Sequence, residues 1–283
     1  MTPILYLGPE GTYSHEAAIR RFGADAPLVP CLSHYDVFDR LCGPRARPRP
    51  LAIVPVENSS EGPVTQTLDQ LAGYPAAKIL EGFTLPICHH LVAGRGVRNL
   101  AAIKRVYSHP QALGQCRDTL RRLLPDADLQ PESSTAAAAR RAAAEPACAA
   151  IASAAAAQLN GLRILRRNLQ DSDKNVTRFF VVSANPRAAL PPPAKGRKPE
   201  MRSLIHLLIG NRPGALLHSL APFDAAKVNL TFIQSRPLPG RPWEYGFFIE
   251  AATDWTSPAA EAAWRLVLAL SDSGRKIGTY PMR

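Results

Sequence analysis

Cysteine is scarce in this sequence, and its spacing argues against two kinds of structural site. The 283 residues include five cysteines, an odd number, and no two of them form a C-x-x-C pair. Neither a disulfide framework nor a zinc site is therefore indicated, and we expect reduced thiols and no metal. The adjacent His89 and His90 have no third ligand at metal spacing, so a solvated or core position is favoured for both.

Long apolar segments are also missing. The chain passes from Met1 directly into a short strand-like run, residues 4–7, without the charged leader of a secretory signal. The alanine-rich region 136–157 is interrupted by charged residues and by Pro146, which excludes a membrane span. We therefore expect a cytoplasmic protein that does not contact the membrane.

Glycine-rich nucleotide motifs and nucleophile motifs are absent as well. The sequence has no P-loop, no G-x-G-x-x-G and no G-x-S-x-G, so we expect no cofactor. The formal charge of +11 and the pI near 9.8 favour anionic partners. Because no basic helix carries interleaved aromatic residues, we expect no nucleic-acid partner. A small multiply charged anion, or simple solubility, explains the charge.

One short polar segment is more informative than the composition. Residues 174–179 place Asn175, Thr177 and Arg178 where a β-branched and aromatic run begins. These side chains should crowd one end of a strand, the position where open α/β sheets hold ligands. Taken alone, the segment also fits an N-x-T glycosylation pattern or an ordinary strand start.

A proline-rich segment divides the chain. Residues 183–202 carry five prolines and no apolar periodicity, which predicts an interdomain linker. The linker separates a block of about 180 residues from a tail of about 80, and both sizes suit separate domains.

Before this linker, a short apolar run, a small polar turn and a helix recur. Such units begin at Ile4, Leu51, Arg105 and Cys148. The alternation predicts an α/β fold with a mainly parallel sheet. The turns put Ser, Thr or Asn at helix N-termini, where they cap the helix and where free backbone N–H groups can also bind anions.

Five motifs occur in a specific order: Gly8–Ser14 (GPEGTYS), Pro55–Gly62 (PVENSSEG), Ser108–Cys116 (SHPQALGQC), Ser134–Ala138 (STAAA) and Asn175–Phe179 (NVTRF). In this combination the chain closely resembles the prephenate dehydratase family over essentially residues 3–182. The resemblance implies a two-lobed catalytic domain, 1–182, similar to periplasmic binding proteins. One lobe would contain residues 1 to about 80 and about 162–182, and the other about 83–160. Two departures are mild: Tyr13 replaces the usual Phe, and Pro63 a common Ser.

The resemblance also implies a reaction and a set of residues. Prephenate, a small dianion, would lose carbon dioxide and water to give phenylpyruvate, a hydro-lyase step of L-phenylalanine biosynthesis. Thr177 would act at the leaving hydroxyl, with Asn58, Ser108 and Gln115 as companions. Glu57 would be either a proton source or a supporting residue. The substrate-binding candidates are Thr12, Ser14, Ser59, Ser60, Ser134, Thr135, Ser153 and Arg178.

Arg178 presents a conflict within that set. An ion pair with the ring carboxylate would stabilise the bound substrate and oppose decarboxylation. Arg178 should therefore bind the pyruvyl carboxylate or pack structurally. Strand alternation puts its side chain opposite that of Thr177, which favours packing.

The tail, 203–283, shows a βαββαβ order that fits a ferredoxin-like sheet, and it resembles an ACT regulatory domain. The resemblance implies feedback by L-phenylalanine, bound between paired domains of a homodimer or homotetramer. Gln234 replaces the family's usual Glu, and Phe232 stands where a polar residue is more usual. The candidate allosteric residues are Gly214, Ala215, Leu216, Leu217, Gln234, Ser235, Arg236 and Pro237.

Alternatives to prephenate dehydration stay open. The same scaffold could dehydrate arogenate, or could decarboxylate prephenate without dehydration, although Thr177 favours dehydration. The chain could instead be a non-catalytic, amino-acid-sensing binding protein. The complete set of polar motifs argues against that last interpretation.

Overall fold

The structure is a computed structural model that describes residues 1–44, 48–94, 96–188, 190 and 199–283. Part of the predicted linker, residues 189 and 191–198, lies outside the described residues.

Strands and helices alternate along the chain before the linker. The first elements are β1 (Ile4–Leu7), α1 (Tyr13–Phe22), β2 (Leu28–Cys31), α2 (His34–Cys42), β3 (Leu51–Asn58), β4 (Gly62–Pro63), α3 (Thr65–Gly73) and β5 (Lys78–Pro86). They are followed by β6 (His90–Ala93), β7 (Arg105–Ser108), α4 (Pro110–Gln115), α5 (Arg117–Leu123), β8 (Asp128–Pro131), α6 (Thr135–Ala144), β9 (Cys148–Ala152), α7 (Ala154–Leu159), β10 (Arg163–Arg166) and β11 (Val176–Ser183).

These elements form two lobes, each built on a mixed sheet. The strand orders are β2-β1-β3-β11-β5 and β8-β7-β9-β6-β10, which confirms the predicted two-lobed α/β fold. In each sheet three neighbouring strands pair in parallel, whereas the pairs β3–β11, β11–β5, β9–β6 and β6–β10 are antiparallel. Only β11 in the first sheet and β6 in the second therefore run against the other four strands of these orders. The expectation of a mainly parallel sheet agrees with the strand directions but not with half of the pairings, so each sheet is mixed.

One boundary also differs from the sequence prediction. Strand β10 pairs with β6 in the second sheet, so the first lobe resumes after β10 rather than near residue 162. The helical region that follows β7 is divided into α4 and α5 at Cys116. The break allows the Asp171 carboxylate to accept the N–H groups of Asp118 and Thr119 at the start of α5, a contact that local sequence does not reveal.

The tail forms a ferredoxin-like domain. Its elements are β12 (Glu200–Ile209), α8 (Ala215–Ala225), β13 (Leu230–Leu238), β14 (Arg241–Ala251), α9 (Pro258–Ala269) and β15 (Ser273–Met282). The strands are antiparallel in the order β13-β14-β12-β15, which confirms the predicted βαββαβ fold. Strand β15 also pairs with β5 through Met282 and Gly82, so the tail sheet continues into the first lobe.

The tail and the first lobe share one hydrophobic core. Phe180 of β11 is fully buried with Phe248 of β14 and Tyr280 of β15, and the rings of Phe180 and Tyr280 lie 5.0 Å apart in an edge-to-face arrangement. The two parts therefore stabilise each other through apolar burial. Among the described residues, no helix has both the length and the apolar character needed to cross a bilayer.

The shared core yields a stability prediction. Phe180→Ala should lower the free energy of unfolding by about 3–5 kcal/mol, because it removes a fully buried ring and leaves a cavity. Leu32→Ala is the control, since Leu32 is 94% exposed, and it should change stability by no more than about 0.5 kcal/mol. Urea denaturation measures both. Equal losses for the two variants would contradict the core assignment.

Candidate active site

A cleft of about 510 Å³ lies between the two lobes. The first lobe contributes the N-terminal end of α1, the end of β3 and the start of β11, and the second contributes α4 and the N-terminal end of α6. The structure brings seven predicted site residues to this cleft: Thr12, Ser14, Asn58, Gln115, Ser134, Thr135 and Thr177.

Four other predicted serines do not line the cleft, and three of them support the backbone beside it. The buried hydroxyls of Ser108 and Ser153 donate to the carbonyls of Ile151 at 2.7 Å and Gly11 at 2.9 Å. Ser59 Oγ donates to the Lys174 carbonyl at 2.8 Å, and Ser60 is exposed. Assigning these four side chains to substrate or catalysis therefore disagrees with their placement, because hydroxyls at turns serve the local backbone.

Glu57 and Arg178 lie on the other face of the sheet. They are paired residues of β3 and β11, and Arg178 Nη2 lies 2.9 Å from Glu57 Oε2. Alternation along each strand turns their side chains away from those of Asn58 and Thr177. The structure thus corrects Glu57 as a proton source and Arg178 as a substrate ligand, and it favours the packing role for Arg178.

The orientation of the Asn58 side chain fixes the direction of a hydrogen-bond chain. Its Oδ1 accepts the backbone N–H groups of Ser60 at 2.9 Å and Glu61 at 3.1 Å, and these can only donate. Nδ2 must therefore face the opposite way, where it donates to Thr177 Oγ1 at 2.9 Å and to Asn175 Oδ1 at 2.7 Å. Since Thr177 Oγ1 accepts from Asn58, its own hydrogen is free to donate into the cleft.

The same polarity continues to Gln115. Because Asn175 Oδ1 accepts from Asn58, Asn175 Nδ2 donates, and it lies 2.8 Å from Gln115 Oε1. Gln115 Nε2 is then the free end of the amide. It is buried and has no hydrogen-bond partner among the described residues, so it is available to an acceptor in the cleft.

His89 completes the chain on the far side of Gln115. Its Nε2 lies 2.8 Å from Gln115 Oε1, an acceptor, so Nε2 carries the proton. Its Nδ1 lies 2.7 Å from the Tyr13 hydroxyl, which also has the Cys88 carbonyl at 3.0 Å. Burial lowers the pKa of His89, which favours the neutral ring. Because Nε2 then carries the only ring proton, Nδ1 is an acceptor and shares the Tyr13 hydrogen with the Cys88 carbonyl, with the shorter contact to Nδ1.

His89 is buried, as the sequence analysis favoured, and it also lines the cleft. An isolated pair of histidines carries no signal for such a role. Other lining residues that the sequence analysis did not assign lie within or beside the quoted motifs and could have been found there: Glu61, His109, Gln111 and Asn175.

The charge of the cleft differs from that of the whole chain. None of the described residues that line it is Lys or Arg, and Glu61 contributes a carboxylate. Neutral donors are present instead: Thr177, Gln115 Nε2 and the free N–H groups at the start of α6, which Ser134 caps. The cleft can therefore bind an anion without a direct ion pair.

Comparison with known proteins agrees on one family. A family model described as prephenate dehydratase matches residues 4–187. A bifunctional chorismate mutase/prephenate dehydratase of Aquifex aeolicus is 34% identical over 280 residues, which cover 98% of this chain and 73% of that protein.

Two solved structures are similar over nearly the whole chain. Prephenate dehydratase from Arthrobacter aurescens in complex with L-Phe has a TM-score of 0.85 and 35% identity, covering 99% of this chain and 90% of that one. GqqA, described as a novel type of quorum-quenching acylase, has a TM-score of 0.86 and 30% identity, covering 99% and 98%.

The hydrogen-bond chain predicts the tautomer of His89. In nitrogen-15 NMR spectra near neutral pH, Nε2 should carry the proton and Nδ1 should not. The pKa should lie below the ordinary value of about 6.5. Tyr13→Phe removes the donor to Nδ1, so the Nδ1–H tautomer should become populated. A dominant Nδ1–H tautomer in the unaltered protein would contradict the assigned chain.

Proposed function

The chain belongs to the prephenate dehydratase family, and from this premise we propose that it converts prephenate to phenylpyruvate with loss of carbon dioxide and water. The observation that carries the proposal is the Thr177 hydroxyl. Asn58 Nδ2 donates to its oxygen at 2.9 Å, so its hydrogen is directed into the cleft, where a leaving hydroxyl needs a donor.

The Thr177 hydroxyl serves as a positioned donor or a proton relay. A threonine hydroxyl is too weakly acidic to ionise near neutral pH, so the proton that it passes to the leaving hydroxyl is replaced at the same time from solvent water in the cleft. The donated N–H of Asn58 increases the polarisation of the hydroxyl and stabilises charge that develops on its oxygen. Hydroxide then departs from the ring as water.

The lack of cations in the cleft suits the departing carboxylate. Loss of carbon dioxide consumes the ring carboxylate's charge, so an arginine bound to it would stabilise substrate more than transition state. The hydrogen-bond donors among the described lining residues are neutral, so they do not oppose the loss of that carboxylate as carbon dioxide. We assign the pyruvyl carboxylate to Gln115 Nε2 and to the N-terminal end of α6.

A second substrate is favoured by one specific observation. Arogenate carries an ammonium group, and the carboxylate of Glu61 lines the cleft, where it could accept that group. Parallel assays with prephenate and arogenate distinguish the substrates. If arogenate is preferred, Glu61→Gln should remove the preference while leaving prephenate turnover within about threefold.

The direct test follows phenylpyruvate absorbance after addition of prephenate. Thr177→Val keeps the shape of the side chain and removes the hydroxyl, so turnover should fall by roughly 10²–10³-fold. Thr177→Ser, the matched control, keeps the hydroxyl and should retain most of the activity. Near-normal turnover in the valine variant, with an unchanged circular dichroism spectrum, would remove Thr177 from the mechanism.

The structural similarity to GqqA, which is described as an acylase, makes acylase activity the alternative to prephenate dehydration in the same experiment. His89 is bonded to Tyr13 and Gln115 rather than to a serine, an arrangement that does not activate a nucleophile. We therefore expect no acylase activity from the purified protein. Acylase activity without phenylpyruvate formation would overturn the proposal.

We propose that residues 203–283 regulate the catalytic domain, 1–182, in response to L-phenylalanine. Gly214 precedes α8 with a φ of 77°, and the Cβ of any other residue there would approach His218 to 2.9 Å. Of the candidate residues 234–237, Arg236 is paired with Asp69 of the first lobe at 2.7 Å. Glycine is thus required at position 214 by the local backbone and packing, whereas the Arg236 guanidinium is engaged with the first lobe.

Gln234 permits a test of this regulation. If a carboxylate at this position attracts the ammonium group of phenylalanine, Gln234→Glu should tighten binding by about fivefold, or about 1 kcal/mol. If backbone carbonyls bind that group, the substitution should leave affinity unchanged. Calorimetric titration of both proteins measures the difference, and no binding to either would show that phenylalanine is not the regulator.

We also propose a homodimer or homotetramer formed through the tail, in the cytoplasm. Leu217 on α8 is 70% exposed and Leu266 on α9 is 57% exposed, which suits burial of both side chains against another copy of the chain. Sedimentation of the purified protein tests the assembly.

The proposed cytoplasmic location is supported by the cysteines. All five are unpaired, as is usual in reducing compartments.

A further inference from the structure

A buried ion cluster joins the catalytic strand β11 to the tail. Arg178 Nη1 lies 2.7 Å from both carboxylate oxygens of Glu250 in β14. Glu250 is fully buried, and the Arg178 side chain is 8% exposed. Arg202 of β12 approaches the same carboxylate at 2.9 Å, so Glu250 is held by cations from both parts of the chain.

Both carboxylate oxygens of Glu250 accept further hydrogen bonds, whereas the Nε atoms of Arg178 and Arg202 are buried without a hydrogen-bond partner among the described residues. Thr231 Oγ1 donates to Glu250 Oε1 at 2.6 Å, and the Tyr280 hydroxyl donates to Oε2. Burial raises the pKa of Glu250, but the Arg178 charge and these hydrogen bonds outweigh burial and hold the pKa below its usual value. The carboxylate is therefore ionised, and its bond to Arg178 is a charge-assisted one.

Arg178 is placed one residue from the catalytic hydroxyl. Thr177 pairs with Asn58, and Arg178 pairs with Glu57 on the next rung of the β3–β11 ladder. The register then shifts between Arg178 and Phe179. The Thr177–Asn58 rung, which carries the reactive side chains, and the Arg178–Glu57 rung thus lie beyond an irregularity of the β3–β11 ladder. On its other side, β11 pairs with β5 without a shift from Val176 to Val181.

On the opposite face, these rungs are anchored by Arg178 itself. Its guanidinium binds Glu57 of β3 and Glu250 of the tail together. It also lies 5.7 Å from the centre of the Phe232 ring, which gives that departure from the family pattern a packing role. An anchor of this kind sets the rotation of the strand, and so the direction of Thr177 on its other face.

We propose that Glu250 is a positioning residue for the reaction assigned above: through Arg178 it orients β11 so that the Thr177 hydroxyl meets the leaving group. The inference rests on the proposed function for its kinetic readout. It means that the tail contributes to turnover even when no regulator is bound. It also gives the tail a physical route to the catalytic hydroxyl, since any movement of β14 moves Glu250.

The test is a double-mutant cycle without phenylalanine present. Glu250→Gln keeps the shape and removes the charge, so kcat should fall by about tenfold to a hundredfold. KM should stay within about twofold, since Glu250 does not touch the cleft. Arg178→Met should reduce kcat similarly. If Glu250 acts through Arg178, the double variant should be no slower than the slower single variant.

Asp69→Asn is the matched control. Asp69 also links the first lobe to the tail, through its ion pair with Arg236, but it lies on α3 and not on β11. Its replacement should leave kcat and KM within about twofold of the unaltered protein. A loss equal to that of Glu250→Gln would show general loosening between the domains and would overturn the proposal. Additive effects of the Glu250 and Arg178 substitutions would also overturn it.

Two further measurements keep the proposal testable. Backbone amides of residues 176–178 should exchange hydrogen faster in Glu250→Gln and at the normal rate in Asp69→Asn. This readout separates failure of the proposal from failure of the proposed function, because it needs no activity. If Glu250→Gln does not fold, Arg202→Gln added to it restores the net charge, and wild-type kcat in that folded variant would overturn the proposal.

Discussion

The side-chain oxygen of Asn58 accepts two backbone N–H groups, from Ser60 and Glu61, and the chemistry of the cleft depends on this contact. Backbone N–H groups cannot reverse roles, so the amide of Asn58 cannot turn over without losing both bonds. The polarity of Asn175, Gln115 and His89 follows in sequence. At one end, Thr177 is left with a free hydrogen; at the other, Gln115 is left with a free N–H. A short turn after β3 thereby defines donors on two sides of the cleft.

The strands that carry these groups separate two electrostatic environments. On the cleft face, the described lining residues offer neutral donors to a substrate that must lose a carboxylate. On the opposite face, Arg178 and Arg202 meet Glu57 and Glu250 in a buried cluster. The adjacent residues Thr177 and Arg178 of β11 thus have different roles: Thr177 faces the substrate cleft, and Arg178 contacts the tail. The two arginines are thus paired with glutamates rather than with the reacting carboxylate, which an ion pair would stabilise in the ground state.

Periodicity predicted an α/β fold and the βαββαβ order of the tail, because both depend on local sequence. The two lobes and the cleft residues Thr177, Asn58 and Gln115 were implied by the family resemblance that the ordered motifs carry. Sequence patterns failed for residues whose role is determined by a contact with a distant part of the chain. Ser108 and Ser153 occupy turns that resemble binding turns, but their hydroxyls bond to distant carbonyls. His89 lies outside the five motifs, and its position in the cleft depends on its contacts with Tyr13 and Gln115, which are distant in the sequence. For Arg178, the alternation of side chains along the strand correctly favoured a packing role. Its partner Glu250 could not be predicted, because it lies 72 residues away in the chain.

Asn58 directs the Thr177 hydrogen into the cleft, and the position of this hydrogen can be observed. Neutron diffraction from deuterium-exchanged crystals locates it without changing a residue. We expect two deuterons on the Asn58 atom that faces Thr177, and a Thr177 deuteron that points away from Asn58 toward the cleft. A Thr177 deuteron directed at Asn58, with the backbone N–H of Ser60 left without its acceptor, would show that Asn58 does not direct the hydroxyl.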